Sequence, residues 1–483
     1  MNGVEDNRLI IVRYSEVGLK GNRARSMMIS KLKSNINEGL RRIGESARIT
    51  TERGRIYLSG YSDLEKAFDV LRRTMGVKSY SPVVSVTYEE PSELASKAVE
   101  LYSPILGGKK FAVRSRRVGG QSFTTRDLNI MVGDALYRYS AGVNLNNPDV
   151  EVNIEVRNKR AYFYNEVYKG PGGLPLGSEA SMVALMSGGI DSPVAAWMIM
   201  KRGSPVDFVF MSLSHPIDTV EFLRAANVLV RDWALGYSPT IHIIDGKPLI
   251  DLLVLSHKIK IPGVTYKRIL YSLAQAISKD RGAYGIITGE SLGQVSSQTP
   301  QNLLAISHGI DIPVYRPLIG MDKDEISDIA RSIGTFPVSN KGEFCALFSQ
   351  TVVLNASPDD IDKDMLSYDL QEKLLQNRII LKGGDVETYL KGLSDEDYEI
   401  TALPDDSVVV DLRSRLSYNE WHYDNAINTG LGGVKKIIEE NGRDKIYVFY
   451  CQKGLQSAYA ASEARTLGAR SYYTSSDKIR KMK

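Results

Sequence analysis

The sequence predicts a multidomain α/β protein: a mixed α+β N-terminal region, a central doubly wound parallel sheet, and a shorter β/α block at the end. Three observations predict it. From Ser181 onward short apolar strands alternate with helix-period segments, the pattern of parallel βαβ units. The residues before them alternate strands and helices on a smaller scale. Between the two lies Lys169–Ser178, KGPGGLPLGS, a glycine- and proline-rich linker and the clearest boundary in the chain.

In chain order, LIIVRY reads as a strand, Ala24–Leu40 as a helix, GRIYLSG as a strand and Leu64–Arg73 as a helix. VVSVTY, a helix from Ser92, KKFAVRS, a helix from Thr125 with Asp127 in its first turn, VEVNIEV and RAYFYNEVY repeat the alternation. MVALM, VDFVFMSL, PTIHIID and AYGIIT are the strands of the central sheet. Ser192–Lys201, Thr219–Trp233 and Tyr266–Ser278 are its helices. The stretch at 355–403 is acid-rich and partly helical, and reads as connecting structure. From Asp406 come VVVDLR, a helix-like Ser417–Trp421, AIN, IYVFY and a helix from Ser457.

The 483 residues suffice for two to four domains of roughly 100–200 residues each. With 43% hydrophobic and 24% charged residues the composition is that of a soluble globular protein. No apolar run reaches the ~18 residues a membrane span needs. MNGVEDNRLIIVRYSEVGLKG puts acids ahead of a short β-like run and is not expected to be a secretory signal. Two distant cysteines argue against a disulfide framework, so the cytoplasm is the expected compartment.

The net charge of +4 is unevenly spread: +9 over residues 1–170 and −5 over the remainder. Leu101–Arg126 holds Lys109, Lys110, Arg114, Arg116, Arg117 and Arg126 without one acid. A phosphate-binding surface, driven by counterion release, and a plain solvated face both account for this run. Charge alone does not separate them.

MVALM runs into Ser187-Gly188-Gly189-Ile190-Asp191-Ser192 and then directly into a helix. Two glycines let backbone approach an anion, and the helix aims unpaired N–H groups and its positive dipole end at it. A tight strand–helix turn would use the same glycines. There is no G-x-x-x-x-G-K-[ST], so this is not a Walker A loop. It resembles the PP-loop of ATP pyrophosphatases, which cleave between the α and β phosphates. Asp191 then suits a Mg²⁺-associated carboxylate. A second strand–loop–helix unit occurs in the tail, where IYVFY leads into Cys451-Gln452-Lys453-Gly454-Leu455-Gln456-Ser457. Loop N–H groups and the helix dipole would stabilise a thiolate or persulfide at Cys451, although a lone cysteine is more commonly an inert core residue. The five histidines show no metal-ligand spacing and there is no CxxC, which argues against structural zinc.

Thr288–Thr299, TGESLGQVSSQT, follows the strand AYGII. Together with KGPGGLPLGS, RPLIGMDKDEI and GEFCALF it closely resembles the signature of tRNA 4-thiouridine synthetases, the ThiI family. The resemblance runs the length of the chain. It implies a ferredoxin-like domain at 1–62, a THUMP RNA-binding domain at 63–168 and a PP-loop ATP pyrophosphatase domain at 169–354. A connecting segment at 355–403 and a rhodanese-like domain at 404–483 complete it. It also implies ATP contacts at Leu185, Met186, Ser187, Gly188, Gly189, Ser192, Lys267, Gly289 and Gln298, with weaker expectations for Asp322 and Lys323. The basic run at Lys109–Arg126 would bind tRNA. Catalysis would fall to Asp191, Cys451 and Cys345, the last singled out by family position, with the two cysteines forming a transient disulfide. ATP, Mg²⁺, tRNA and a cysteine desulfurase as persulfide donor are the implied ligands and partners, with a thiazole sulfur-carrier protein as a further partner.

The tail departs from the rhodanese pattern at two places. His422-Tyr423-Asp424-Asn425-Ala426 stands where H-x-P-G-A is common, and Gln456 stands where an arginine often precedes the serine. Without that cation a protein-donated persulfide suits the loop better than thiosulfate. Two other functions compete with tRNA thiolation: a small-molecule ATP pyrophosphatase, and a non-catalytic persulfide carrier. The first leaves the basic N-terminal half and the tail unexplained, and the second needs only the tail.

Overall fold

The computed structural model describes residues 9–14, 16–52, 54–213, 217–249, 253, 259–336, 353–364, 368–393, 398–452 and 454–482. The chain forms two compact units, Met1–Ser178 and Glu179–Lys483.

In the first unit one sheet runs in the order Arg48–Glu52, Arg55–Ser59, Leu9–Arg13, Ser79–Thr87, Arg160–Tyr164, Val150–Arg157, Phe111–Val118. Ser79–Val83 pair with Leu9–Arg13, while Val84–Thr87 pair with Arg160–Tyr164. The two halves that periodicity separates therefore share one strand. The helix Leu64–Leu71 packs on Asn22–Arg42 and so belongs to the first half, whereas the sequence reading put it after residue 62. In the second half the helices Pro91–Tyr102 and Thr125–Tyr137 bury Leu94, Leu128 and Val132 with Phe111, Val152 and Ile154. Asp127 closes a capping box on Thr124, as its place in the first turn predicts.

The glycine-rich linker is strapped onto this first unit. Leu174 and Leu176 are buried, and Asn35 Nδ2 donates to the Leu176 carbonyl at 2.9 Å. At Gly170 a β-carbon would sit 2.4 Å from the Val77 carbonyl oxygen, so only glycine lets these two backbones pass.

The second unit holds a six-stranded sheet in the order Val314–Tyr315, Ile286–Ile287, Met182–Met186, Val206–Ser212, Thr240–Asp245, Ile379–Lys382. All pairs are parallel except the last. Met182–Met186 comes first in the chain and lies inside the sheet. Later strands were added on either side of it, which makes its carboxyl end the topological switch point where such sheets bind ligands. The stretch read as connection supplies the sixth strand, Ile379–Lys382, and so is partly built into the sheet. The helix Pro262–Arg281 is longer than the periodicity suggests, starting at a proline and ending at Gly282 in the left-handed conformation. Among the described residues no helix is long and apolar enough to cross a membrane.

The tail forms a four-stranded parallel sheet, Ile427–Asn428, Val408–Asp411, Ile446–Cys451, Arg470–Ser475. Its helix Leu455–Thr466 packs on the central sheet. There Tyr459 is buried with Met211, Leu213 and Ile244, and Lys247 Nζ donates to Thr466 Oγ1 at 3.0 Å.

His242, in the strand Thr240–Asp245, is buried with neither ring nitrogen hydrogen-bonded among the described residues. Burial, aided by the nearby Arg378 charge, depresses its pKa from 6.5 to about 4. As pH falls through 6.5 the unfolded chain takes up a proton that the folded chain refuses, so stability is lost between 6.5 and about 4. The urea midpoint of the wild type should therefore drop more from pH 7 to pH 5 than that of His242→Leu. Equal drops would show that His242 does not contribute.

Candidate active site

At the switch point the chain turns through Ser187–Ile190 into the helix Asp191–Met200, whose first residues are buried on every side. The loop is held by its own serines. Ser187 N–H donates to Ser192 Oγ at 2.9 Å, and Gly189 N–H to Ser187 Oγ at 3.2 Å. Gly289, from the neighbouring strand end, lies against this helix start. A β-carbon there would be 2.7 Å from Ser192 N, so glycine is required for packing whether or not it also meets a ligand.

A cleft of about 770 Å³, its open mouth included, lies over the turn. Its lining includes apolar Leu185, Phe210, Met211, Tyr266 and Leu270 and polar Ser187, Asp191, Ser192, Lys267, Glu290 and Gln298. Of the residues expected to bind ATP, Leu185, Met186, Ser187, Ser192, Lys267, Gly289 and Gln298 line this one cleft, and Gly188 and Gly189 form the turn beside it. The size and mixed polarity suit a nucleotide. Gln298 Oε1 is buried and, among the described residues, without a hydrogen-bond partner, an acceptor that a ligand donor would satisfy.

Asp191 is buried, with Oδ1 accepting from Lys323 Nζ at 2.7 Å and Oδ2 from Gln294 Nε2 at 2.8 Å. Among the described residues no three His, Cys, Asp or Glu side chains converge as a metal site. One carboxylate fits a Mg²⁺ carried on a nucleotide's phosphates, which needs only one or two from the protein, but not a protein-built cage. Asp322 caps the helix Lys323–Ile333 by accepting from the Asp324 and Glu325 N–H groups, which is its structural role.

Reasoning from the sequence missed Glu290, Tyr271, Gln294 and Arg316. Glu290 is a buried carboxylate ringed by donors from two other segments, the helix Pro262–Arg281 and Arg316. Its sequence signal is its place in TGESLGQVSSQT, just past the strand AYGII.

In the tail, Cys451 is the last residue of Ile446–Cys451 and is 3% exposed. Its Sγ is 3.6 Å from Ser457 Oγ, in the first turn of the helix that begins past Gly454. Gly454 has φ +89°, which glycine tolerates at this sharp entry. The same sheet holds a buried ion pair: Arg413 Nη2 donates to Asp411 Oδ2 at 2.7 Å, and Tyr450 OH to the same oxygen at 2.6 Å. Asp411 and Arg413 thus brace the sheet. Cys345 lies outside the described residues.

In the N-terminal unit Lys109, Lys110, Arg114, Arg116, Arg117 and Arg126 are all exposed, and three of them stand on the edge strand Phe111–Val118. Arg114 is partly engaged, donating to the Leu145 carbonyl and lying 3.6 Å from Glu151.

Comparison with known proteins places these features in a family. The model "ThiI ferredoxin-like domain" matches residues 9–81, "THUMP domain" 88–166, "Thiamine biosynthesis protein (ThiI)" 177–370 and "Rhodanese-like domain" 394–476. The tRNA sulfurtransferase of Thermoplasma acidophilum is 45% identical over 98% of this chain and 96% of its own length. That of Pyrobaculum aerophilum is 40% identical over 96% of each. Among solved structures, a 4-thiouridine synthetase in complex with RNA and bound ATP superposes with a TM-score of 0.66 at 27% identity. The match covers 78% of this chain and 99% of that one.

Proposed function

The chain belongs to the ThiI family of tRNA sulfurtransferases, and from that premise we propose that it converts uridine 8 of tRNA into 4-thiouridine in the cytoplasm, using ATP and a persulfide. The observation that carries this reading is the cleft at the switch point, which gathers an anion-binding turn, a lysine and a buried aspartate. Its similarity to a protein solved with ATP and RNA supports the same ligands here.

Leu185 and Met186 would flank the nucleotide. The Ser187–Ser192 turn and Lys267 would take its phosphates, and Gly289 and Gln298 would complete its surroundings. Mg²⁺, held at Asp191, would offset phosphate charge. Uridine O4 attacks the α-phosphorus and pyrophosphate leaves, so that O4 becomes part of a good leaving group. The terminal sulfur of a Cys451 persulfide then forms a bond to C4 as AMP departs. Attack by the Cys345 thiolate on the inner sulfur breaks the S–S bond, releases 4-thiouridine and leaves a Cys345–Cys451 disulfide that a cellular thiol must reduce. The exposed basic strand, with Lys109, Lys110 and Arg126 around it, would hold tRNA by its phosphates. A cysteine desulfurase would reload Cys451. The family's thiamine connection supports a second role, in which Cys451 passes sulfur to a thiazole sulfur-carrier protein.

The test is nucleoside mass spectrometry of unmodified tRNA incubated with the chain, Mg²⁺, ATP and sulfide. 4-Thiouridine should form with one AMP per modified nucleoside. In the same assay Arg114→Ala, Arg116→Ala and Arg117→Ala combined should raise the KM for tRNA about tenfold or more at low salt, by a factor that shrinks as salt rises. ATP cleavage without tRNA or 4-thiouridine would mark a small-molecule pyrophosphatase instead.

A further inference from the structure

The buried carboxylate of Glu290 is asymmetrically satisfied. Oε2 accepts from Tyr271 OH at 2.5 Å, Arg316 Nε at 2.8 Å and Thr288 Oγ1 at 3.0 Å. Oε1 meets Lys267 Nζ at 3.5 Å, the long limit of a hydrogen bond. Arg316 is fixed from further sides, donating to Ser307 Oγ at 2.7 Å and to Tyr271 OH at 3.3 Å. Two cations thus converge on one anion at different distances. Arg316 Nε lies 2.8 Å from Glu290 inside the network, while Lys267, which lines the cleft, meets Glu290 at 3.5 Å.

From this geometry we infer that Glu290 is a positioning residue that holds the Lys267 ammonium in the empty cleft and yields it to a phosphate, so that its charge sets how tightly pyrophosphate is retained. The inference rests on the nucleotide reading of the cleft. Burial pushes the Glu290 carboxyl up, but the Lys267 charge, the Tyr271 hydroxyl and Arg316 together bring it below its usual value, so it is ionised at neutral pH. An ionised carboxylate beside a bound anion opposes that anion in proportion to its charge, and it competes directly for the lysine. Product release benefits, because pyrophosphate leaving Lys267 finds Glu290 waiting to replace it.

The role makes a sign prediction that a merely structural one does not. Glu290→Gln keeps the shape and the Oε2 acceptor but removes the charge. Inorganic pyrophosphate, titrated calorimetrically into the full chain, should then bind about tenfold tighter. In a Lys267→Ala background the same substitution should change affinity less than about twofold, because the coupling runs through the lysine. Tyr271→Phe keeps the ring, takes one donor from Oε2 and leaves the carboxylate leaning more on Lys267, so pyrophosphate should bind more weakly. Opposite shifts in these two variants support the assignment, and Tyr271→Phe provides the sign if Glu290→Gln fails to fold. Weaker binding in Glu290→Gln, or equal tightening with and without Lys267, overturns it while ATP binding by the wild type stands. A wild-type chain that binds neither ATP nor pyrophosphate removes the nucleotide reading as well.

Discussion

Cys451→Ser is expected to lose persulfide-driven thiolation entirely while keeping thiolation driven by high concentrations of free sulfide. The reason is where the sulfur sits. Cys451 ends an interior strand of the tail sheet, is almost fully buried, and faces the first turn of the helix Leu455–Thr466 through Ser457. A terminal persulfide anion there gains from the helix dipole and loop N–H groups, and nothing in serine can carry sulfur. Adenylation is proposed at the other sheet, so free sulfide, itself a nucleophile, should bypass the missing relay. Cys345→Ala should behave differently, completing about one turnover and then stopping, because the mixed disulfide at Cys451 has no internal thiol to resolve it. Thiol-trapped wild-type protein, digested without reductant after one turnover, should contain the Cys345–Cys451 cross-link. Full steady-state activity of Cys345→Ala with no cross-linked peptide would sink the pairing. Persulfide-driven product from Cys451→Ser would sink the relay.

Asp191→Asn is the second large effect, on a different step. The carboxylate is buried and holds Lys323 at 2.7 Å and Gln294 at 2.8 Å. Asparagine matches its volume and one acceptor, so the fold should survive and the melting temperature should shift by only a few degrees. The charge is lost where it neutralises Lys323 and where a phosphate-borne Mg²⁺ would be anchored. Loss of a preorganised electrostatic contact of this kind costs on the order of a hundredfold or more in rate. The rate of tRNA-dependent pyrophosphate release should fall by that factor with either sulfur source, whereas Cys451→Ser spares it when free sulfide is supplied. Normal pyrophosphate release by a folded Asp191→Asn would remove the carboxylate from the chemistry. The two expected outcomes together would assign adenylation and sulfur delivery to separate sheets of one chain.

What the sequence by itself determined is local. Glycines at 188 and 189 between a five-residue apolar strand and an apolar helix leave few conformations other than a tight strand–helix turn, and the structure forms it. The strand–loop–helix around Cys451 was legible for the same reason, as was the capping box at Thr124. Such features depend on contacts a few residues apart and on backbone stereochemistry, both written in short runs of sequence. What only the tertiary structure decided is convergence. Asp191 meets Gln294 across 103 residues and Lys323 across 132, and Glu290 collects donors from positions 267, 271, 288 and 316. Ile379–Lys382 joins the central sheet from a stretch that looks like a linker, and Ser79–Thr87 serves two halves of the N-terminal unit at once. Those meetings depend on strand order. Hydrophobic period says that a segment is a strand but not which strand it lies beside, so the partners of a buried charge stay unwritten until the sheet has closed around it.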